Sequence, residues 1–199
     1  MVKSAKSAAA KSGKARVISS RLAFKGPVFQ VTTDMVEEPG GIRARRDVVR
    51  HSGSIVVLAV EESGSGKSSG SAEPRILLER QYRHAAQSMM WELPAGRIDE
   101  GESELAAARR ELLEETGYTA RKWKKVLRFY VSPGFLDETM TIYLARDLRA
   151  GEAQPEADEK IAIHLVPLSE AREMARDGRI RDAKTITGVL WLSETYSDA

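Results

Sequence analysis

The chain has 199 residues, of which 42% are hydrophobic, 30% charged and none cysteine. A length of this order fits one compact domain with room for a small second one, and the missing thiols exclude disulfides, cysteine nucleophiles and Cys-based zinc or iron–sulfur sites. The 31 Lys and Arg against 29 Asp and Glu leave +2, but Lys3, Lys6, Lys11 and Lys14 fall in an acid-free opening stretch, so the other 27 bases meet 29 acids and the body carries −2.

Residues 1–15 are mostly Ser, Ala and Lys and predict a disordered basic tail, whose lysines could also touch nucleic acid or address the chain to an organelle. The tail lacks the apolar core of a secretory signal, and no apolar run approaches the roughly 20 residues of a membrane span. The expectation is a cytoplasmic protein with no membrane partner and no nucleic-acid partner. Short alternating runs at Val17 to Phe24, Val28 to Val36 and Ile42 to Val49, broken by Gly26-Pro27 and Pro39-Gly40-Gly41, predict a small antiparallel β-domain over 16–50. Residues 51–199 form the main domain in this reading. Ser54 to Val60 is almost wholly apolar and suits a buried strand, the Gly- and Ser-rich stretch Glu61 to Ala72 a loop, and Arg75 to Tyr82 a second core strand.

Glu104 to Thr116 holds Ala, Leu, Glu and Arg with no Gly or Pro, which predicts a helix ended by Gly117 as its C′ residue. Leu105, Ala108, Leu112 and Thr116 make the packing face, while Glu104, Glu111, Glu114 and Glu115 share another arc at 100° per residue. Val126 to Val131, Thr139 to Ala145 and Ile161 to Val166 predict strands, with an acidic loop at Gly151 to Glu159. Ser169 is a candidate cap for a short helix, Glu170 to Arg176, and Asp182 to Ser193 predicts a last one. Strands interleaved with two or three helices argue an α/β domain whose helices cover a mixed sheet.

Glu111, Glu114 and Glu115 stand at i, i+3 and i+4, so their carboxylates can converge on one side of the helix at a cost in mutual repulsion. Hard divalent cations such as Mg2+ and Mn2+ prefer such oxygen donors, and the neighbouring Arg110 could hold one carboxylate in a bidentate pair. A solvated acidic helix face has the same spacing, so these residues alone leave both readings open.

The wider segment is more specific. Gly96, five residues, Glu102, seven residues, then Arg110-Glu111-Leu112-Leu113-Glu114-Glu115-Thr116-Gly117-Tyr118 matches in full the Nudix box, G-x5-E-x7-R-E-U-x-E-E-x-G-U. Seven specified positions agree by chance at on the order of one in 10^8 per start point. The chain resembles the Nudix hydrolases, and Trp91 to Gly96, Ser132 to Glu138 and Pro133 sixteen residues after Gly117 resemble their ADP-ribose pyrophosphatase branch.

The resemblance implies an α/β/α sandwich with a mixed sheet, preceded by the small N-terminal β-domain. It implies hydrolysis of ADP-ribose or a related ADP-sugar to AMP and a sugar phosphate, with two or three Mg2+ per active site and Mn2+ as a substitute. Glu111 and Glu115 would bind metal with the Ala95 carbonyl, Glu114 would be a further ligand or water-orienting group, Glu102 an outer ligand, and Arg110 would orient the cluster. The catalytic base would be Glu159 or Glu156 on the acidic loop, with Glu152 and Glu114 as other candidates. Arg83 and Arg46 resemble phosphate-binding arginines, Glu138, Pro133 and Gly134 substrate contacts, and Phe29 or Phe24 would either stack on adenine or belong to the core. The partners implied are a small nucleoside diphosphate sugar and a second copy of the chain. Other nucleoside diphosphate derivatives and a non-catalytic ADP-ribose-binding regulator are the alternatives. His51, His84 and His164 share no ligand spacing and read as structural or surface residues.

Overall fold

A computed structural model describes residues 13–62, 73–154 and 160–197. The expectations for residues 1–12, 63–72 and 155–159 therefore lie outside the described residues. Backbone contacts divide the chain into two compact units, one comprising the described residues up to His51 together with Ser132–Glu138, the other Ser52–Val131 and the residues from Thr139 onward.

In the first unit β1 (Arg16–Lys25), β2 (Gln30–Glu37) and β3 (Arg43–Arg50) form an antiparallel sheet in the order β1-β2-β3. Its charged side chains pair across the strands, Glu37 with Arg16 and Arg43, and along β3, Arg45 with Asp47. Phe24 and Phe29 pack on each other with ring centroids 5.6 Å apart, yet both stay exposed, so they are surface rather than core residues. Ser132–Glu138 joins this sheet through Val49, whose N–H donates to Phe135 O at 2.8 Å and whose carbonyl accepts from the Asp137 N–H at 3.1 Å. Arg50 locks the arrangement. Its guanidinium pairs with the buried Asp34 and, through Nη1, with Asp137 at 3.0 Å, while the His51 N–H donates to the same Asp137 carboxylate at 2.9 Å.

The second unit contains β4 (Ser54–Glu61), β5 (Arg75–Arg83), β6 (Ser88–Glu92), β7 (Ala95–Arg97), α1 (Glu104–Thr116), β8 (Thr119–Tyr130), β9 (Thr139–Arg149), β10 (Ala162–Pro167), α2 (Leu168–Asp177) and α3 (Ala183–Ser197). The sheet runs β10-β5-β4-β9-β8, with β6 added on β5 and β7 on β4. It is mixed, because β4 and β9 are parallel and the other pairs antiparallel.

The apolar run of β4 is explained by burial on both faces. Ile55, Val57 and Ala59 pack under Ala107, Ala108 and Leu112 of α1, while Val56, Leu58 and Val60 face Leu168, Ala171 and Met174 of α2 and Val189 and Leu192 of α3. Each fully buried Val, Leu or Ile contributes about 1.5–3 kcal/mol. The result is an α/β/α sandwich with a mixed sheet, the architecture that the resemblance implies.

Several boundaries differ from expectation. β8 begins at Thr119 rather than Val126, because Arg121, Lys122, Lys124 and Lys125 hide its alternation. Such charges are a common defence of an edge strand against unwanted pairing. Ser169 does not cap α2. It lies inside the helix, where its N–H and hydroxyl both donate to Glu73, and Pro167 holds the cap position without a side-chain bond.

Asp34 supplies a test of the first unit. The Ser20 hydroxyl, donating at 2.6 Å, holds its carboxyl below the ordinary value of 3.8; burial opposes this and the Arg50 charge reinforces it. With the folded pKa below the unfolded one, this stabilisation is fully present above the unfolded value and is lost as pH falls through the folded value. Asp34→Asn is therefore expected to destabilise the unit by about 2 kcal/mol at neutral pH. Denaturant melts should show that gap narrowing as the pH falls below the ordinary value of 3.8.

Candidate active site

The site is built on α1. Ser103 opens the helix by accepting the Ala106 N–H at 3.2 Å, and Gly117 closes it in the left-handed conformation, its N–H donating to Leu113 O. With Ala107, Ala108, Leu112 and Thr116 buried on the sheet side, Glu111, Glu114 and Glu115 are carried together on another arc.

Two of these carboxylates meet the backbone of the short strand β7. Glu115, itself buried, accepts the Ala95 N–H at 3.0 Å. Glu111 lies so close over Gly96 that a Cβ there would fall 1.9 Å from its Oε1, so any side chain at 96 would push the Glu111 carboxylate aside. Arg110 gathers the rest. Its Nη1 donates to Glu111 at 2.7 Å and Glu114 at 3.1 Å, its Nε and Nη2 grip Glu102 at 3.1 and 2.9 Å, and Nη2 also reaches the Arg97 carbonyl at 3.1 Å. Hydrogen bonds from Arg110 hold the Glu102 carboxyl below its ordinary range, and the same pair leads the causes that raise the Arg110 guanidinium.

Among the described residues no three Asp, Glu or His side chains converge to enclose a common ion, since Glu111 and Glu114 turn toward Arg110. The donor set still fits a hard divalent cation: Glu111 and Glu115 both abut the Ala95–Gly96 backbone, and every available donor is oxygen. Glu104 does not belong to this group. It pairs with Lys125 at 2.6 Å and accepts from Thr141 at 3.2 Å, because seven residues of helix put it about 10 Å along the axis from Glu111 despite the shared arc.

The end of α1 also receives the start of the acidic loop. The Gln154 N–H donates to Glu114 O at 2.9 Å, and Gly117 lies against Gly151, Glu152 and Ala153 so tightly that a Cβ would come within 2.8 Å of backbone atoms of all three. Glu152 is exposed. Glu156 and Glu159 lie outside the described residues.

Arg83, at the end of β5, grips Glu92 side-on, Nε to Oε1 at 2.8 Å and Nη2 to Oε2 at 3.0 Å. The other expected substrate contacts, Phe29, Arg46, Pro133, Gly134 and Glu138, belong to the first unit. There Arg46 Nε donates to Glu38 at 2.9 Å, and Glu138 lies 3.5 Å from His51 Nδ1. His164 packs edge-on against Trp91 with ring centroids 4.8 Å apart, and His84 opens a short 3-10 turn, His84–Ala86.

Sequence reasoning passed over Glu92, Lys184 and Arg50. A signal existed in β5, where Glu79, Gln81 and Arg83 occupy one face of a strand otherwise read as core. Polar residues at that spacing on a buried strand need partners, and Glu92, itself paired with Lys184, is the partner of Arg83.

A NUDIX domain model matches residues 54–188. An ADP-ribose pyrophosphatase of Bacillus subtilis (strain 168) is 35% identical over 184 residues, covering 92% of this chain and 94% of that protein. A methanol dehydrogenase activator of Bacillus methanolicus is 34% identical over 179 residues, covering 89% and 91%. A solved structure described as an ADP compounds hydrolase superposes with a TM-score of 0.76 over 94% of this chain and 97% of its own, and its 22% identity supports the fold alone. The chain belongs to the Nudix family and is a Nudix hydrolase. Hydrolases of this family generally use divalent metal ions.

The two glycines separate site from scaffold. Gly96→Ala meets only the movable end of Glu111, so it is expected to leave the melting temperature nearly unchanged while weakening Mn2+ binding in a titration. Gly117→Ala meets backbone at a φ of +74° and is expected to cost about 1 kcal/mol or more of stability, read by denaturant melts.

Proposed function

We propose that the chain hydrolyses the pyrophosphate bond of ADP-ribose or a related ADP-sugar, giving AMP and, from ADP-ribose, ribose 5-phosphate. The observation that carries the reading is the placement of Glu111 and Glu115 on the Ala95–Gly96 backbone beneath a full Nudix box. The ADP-ribose pyrophosphatase relative, matched over nearly its whole length, supports the substrate class.

In this reading Glu111, Glu115 and the Ala95 carbonyl hold Mg2+, two or three ions with Glu114 and Glu102 as further ligands. The ions would offset the diphosphate charge and acidify a bound water. Arg110 keeps the glutamates from splaying apart under their own repulsion, and Arg83 presents donors to the phosphates. Water oxygen adds to one phosphorus, the bridging P–O bond breaks, and the water proton passes to a carboxylate base, Glu159 or Glu156 with Glu114 as the third candidate. Arg46, Pro133, Gly134 and Glu138 are assigned as substrate contacts by the segments they stand in, and Phe29 as an aromatic platform for adenine. A homodimer and a cytoplasmic setting complete the proposal.

The name of the second relative, an activator of another enzyme, favours one other reading, a regulator that binds the nucleotide without turnover. Separating products by chromatography decides between them. AMP released from ADP-ribose with Mg2+, ahead of ATP, GDP-mannose and NADH, is the expected outcome; no turnover, or equal turnover of ATP, would overturn the proposal. Glu115→Gln should lower kcat/KM at least about a hundredfold with the fold intact.

A further inference from the structure

The strongest feature outside the carboxylate cluster is a buried ionic network that joins the start of α3 to Arg83. Glu79 and Glu92 lie directly opposite each other across β5 and β6, and both are buried. Like charges placed this way destabilise a sheet unless cations intervene. Glu92 has two. Arg83 holds it from the β5 side, and Lys184, buried on α3, pairs with the same Glu92 carboxylate. Lys184 is in turn fixed by Asp182 at 3.1 Å, and Asp182 caps α3 by accepting the Thr185 N–H at 3.0 Å. The Thr185 hydroxyl oxygen accepts the Leu93 N–H at 2.8 Å, tying the residue after Glu92 to the same helix end.

The geometry of Arg83 gives this network a use. A guanidinium has five N–H donors, and the pair with Glu92 occupies one on Nε and one on Nη2. Among the described residues no hydrogen bond uses the other three, which include both on Nη1, and the side chain is 42% exposed while the Glu92 side chain is only 4% exposed. One edge of the fork is thus held by a buried carboxylate, which fixes the guanidinium plane, and the partly exposed side chain leaves its other donors for phosphate oxygens.

We infer that Lys184 is a positioning residue for substrate binding: through Glu92 it fixes the plane of Arg83, so that the free edge of the guanidinium meets the diphosphate of a nucleotide substrate. The inference rests on the proposed phosphate role of Arg83. Without Lys184, Glu92 keeps one cation for a buried carboxylate that faces Glu79, and its hold on Arg83 loses its fixed direction. Lys184 touches no substrate and reaches the reaction only through Glu92 and Arg83.

The test measures KM and kcat for ADP-ribose in Lys184→Met, Lys184→Gln, Lys184→Arg, Arg83→Ala and the Arg83→Ala/Lys184→Met double variant, with melting temperatures for each. The two neutral variants at Lys184 cover the failure of either one to fold. The expected result is a rise in KM of about tenfold for Lys184→Met and Lys184→Gln with kcat within about threefold, equivalent to about 1.4 kcal/mol of binding. Lys184→Arg should keep KM near the starting value, and the double variant should bind no worse than Arg83→Ala alone. An unchanged KM in the neutral variants, or independent addition of the two effects, overturns the inference while leaving the phosphate role of Arg83 standing. If Arg83→Ala itself leaves KM unchanged, the phosphate role fails and the inference falls with it.

Discussion

The guanidinium of Arg110 is the contact on which the site depends. A helix that carries Glu111, Glu114 and Glu115 on one arc, with Glu102 in the preceding loop, opposes itself electrostatically. One cation resolves the conflict by binding Glu102, Glu111 and Glu114 at once and anchoring to the Arg97 carbonyl, so the loop before α1 and two of the helix carboxylates share a single partner. Glu115 needs no share of it, because the Ala95 N–H meets that carboxylate directly. The acids are therefore held together by Arg110, and Glu111 and Glu114 would have to turn from it to ligate a metal ion.

The segment from Glu92 to Gly96 is where the two helical layers of the sandwich meet. From one face α1 reaches it through Glu111 and Glu115. From the other, α3 holds its beginning through Lys184 and Thr185, while the Val57 N–H of β4 donates to Pro94 O at 2.8 Å in the middle. A stretch tied on three sides can keep the Ala95 carbonyl and the Gly96 approach in place with little strand propensity of its own.

Much of this was legible in the residues. The helix from Glu104 to Thr116 and its glycine stop followed from composition, and the wholly apolar β4 followed from the demands of a strand buried on both faces. The placement of Glu104 was not legible, because angular projection ignores rise along the axis. Nor were β6 and β7, which are short and owe their pairing to β5 and β4 rather than to their own sequence. Lys184 and Glu92 are 92 residues apart, and an ion pair so distant in the chain leaves no local pattern. Likewise the joining of Ser132–Glu138 to the N-terminal sheet depends on Arg50 and Val49, which nothing nearby in sequence links to that turn.

Glu111 and Glu115 with the Ala95 carbonyl are the proposed divalent-ion site, and anomalous diffraction from a crystal soaked in Mn2+ would locate the ion. The expected result is a peak within coordination distance of both carboxylates and that carbonyl, with Arg110 displaced toward Glu102. A peak that lies elsewhere, or one that forms without either glutamate, would contradict it.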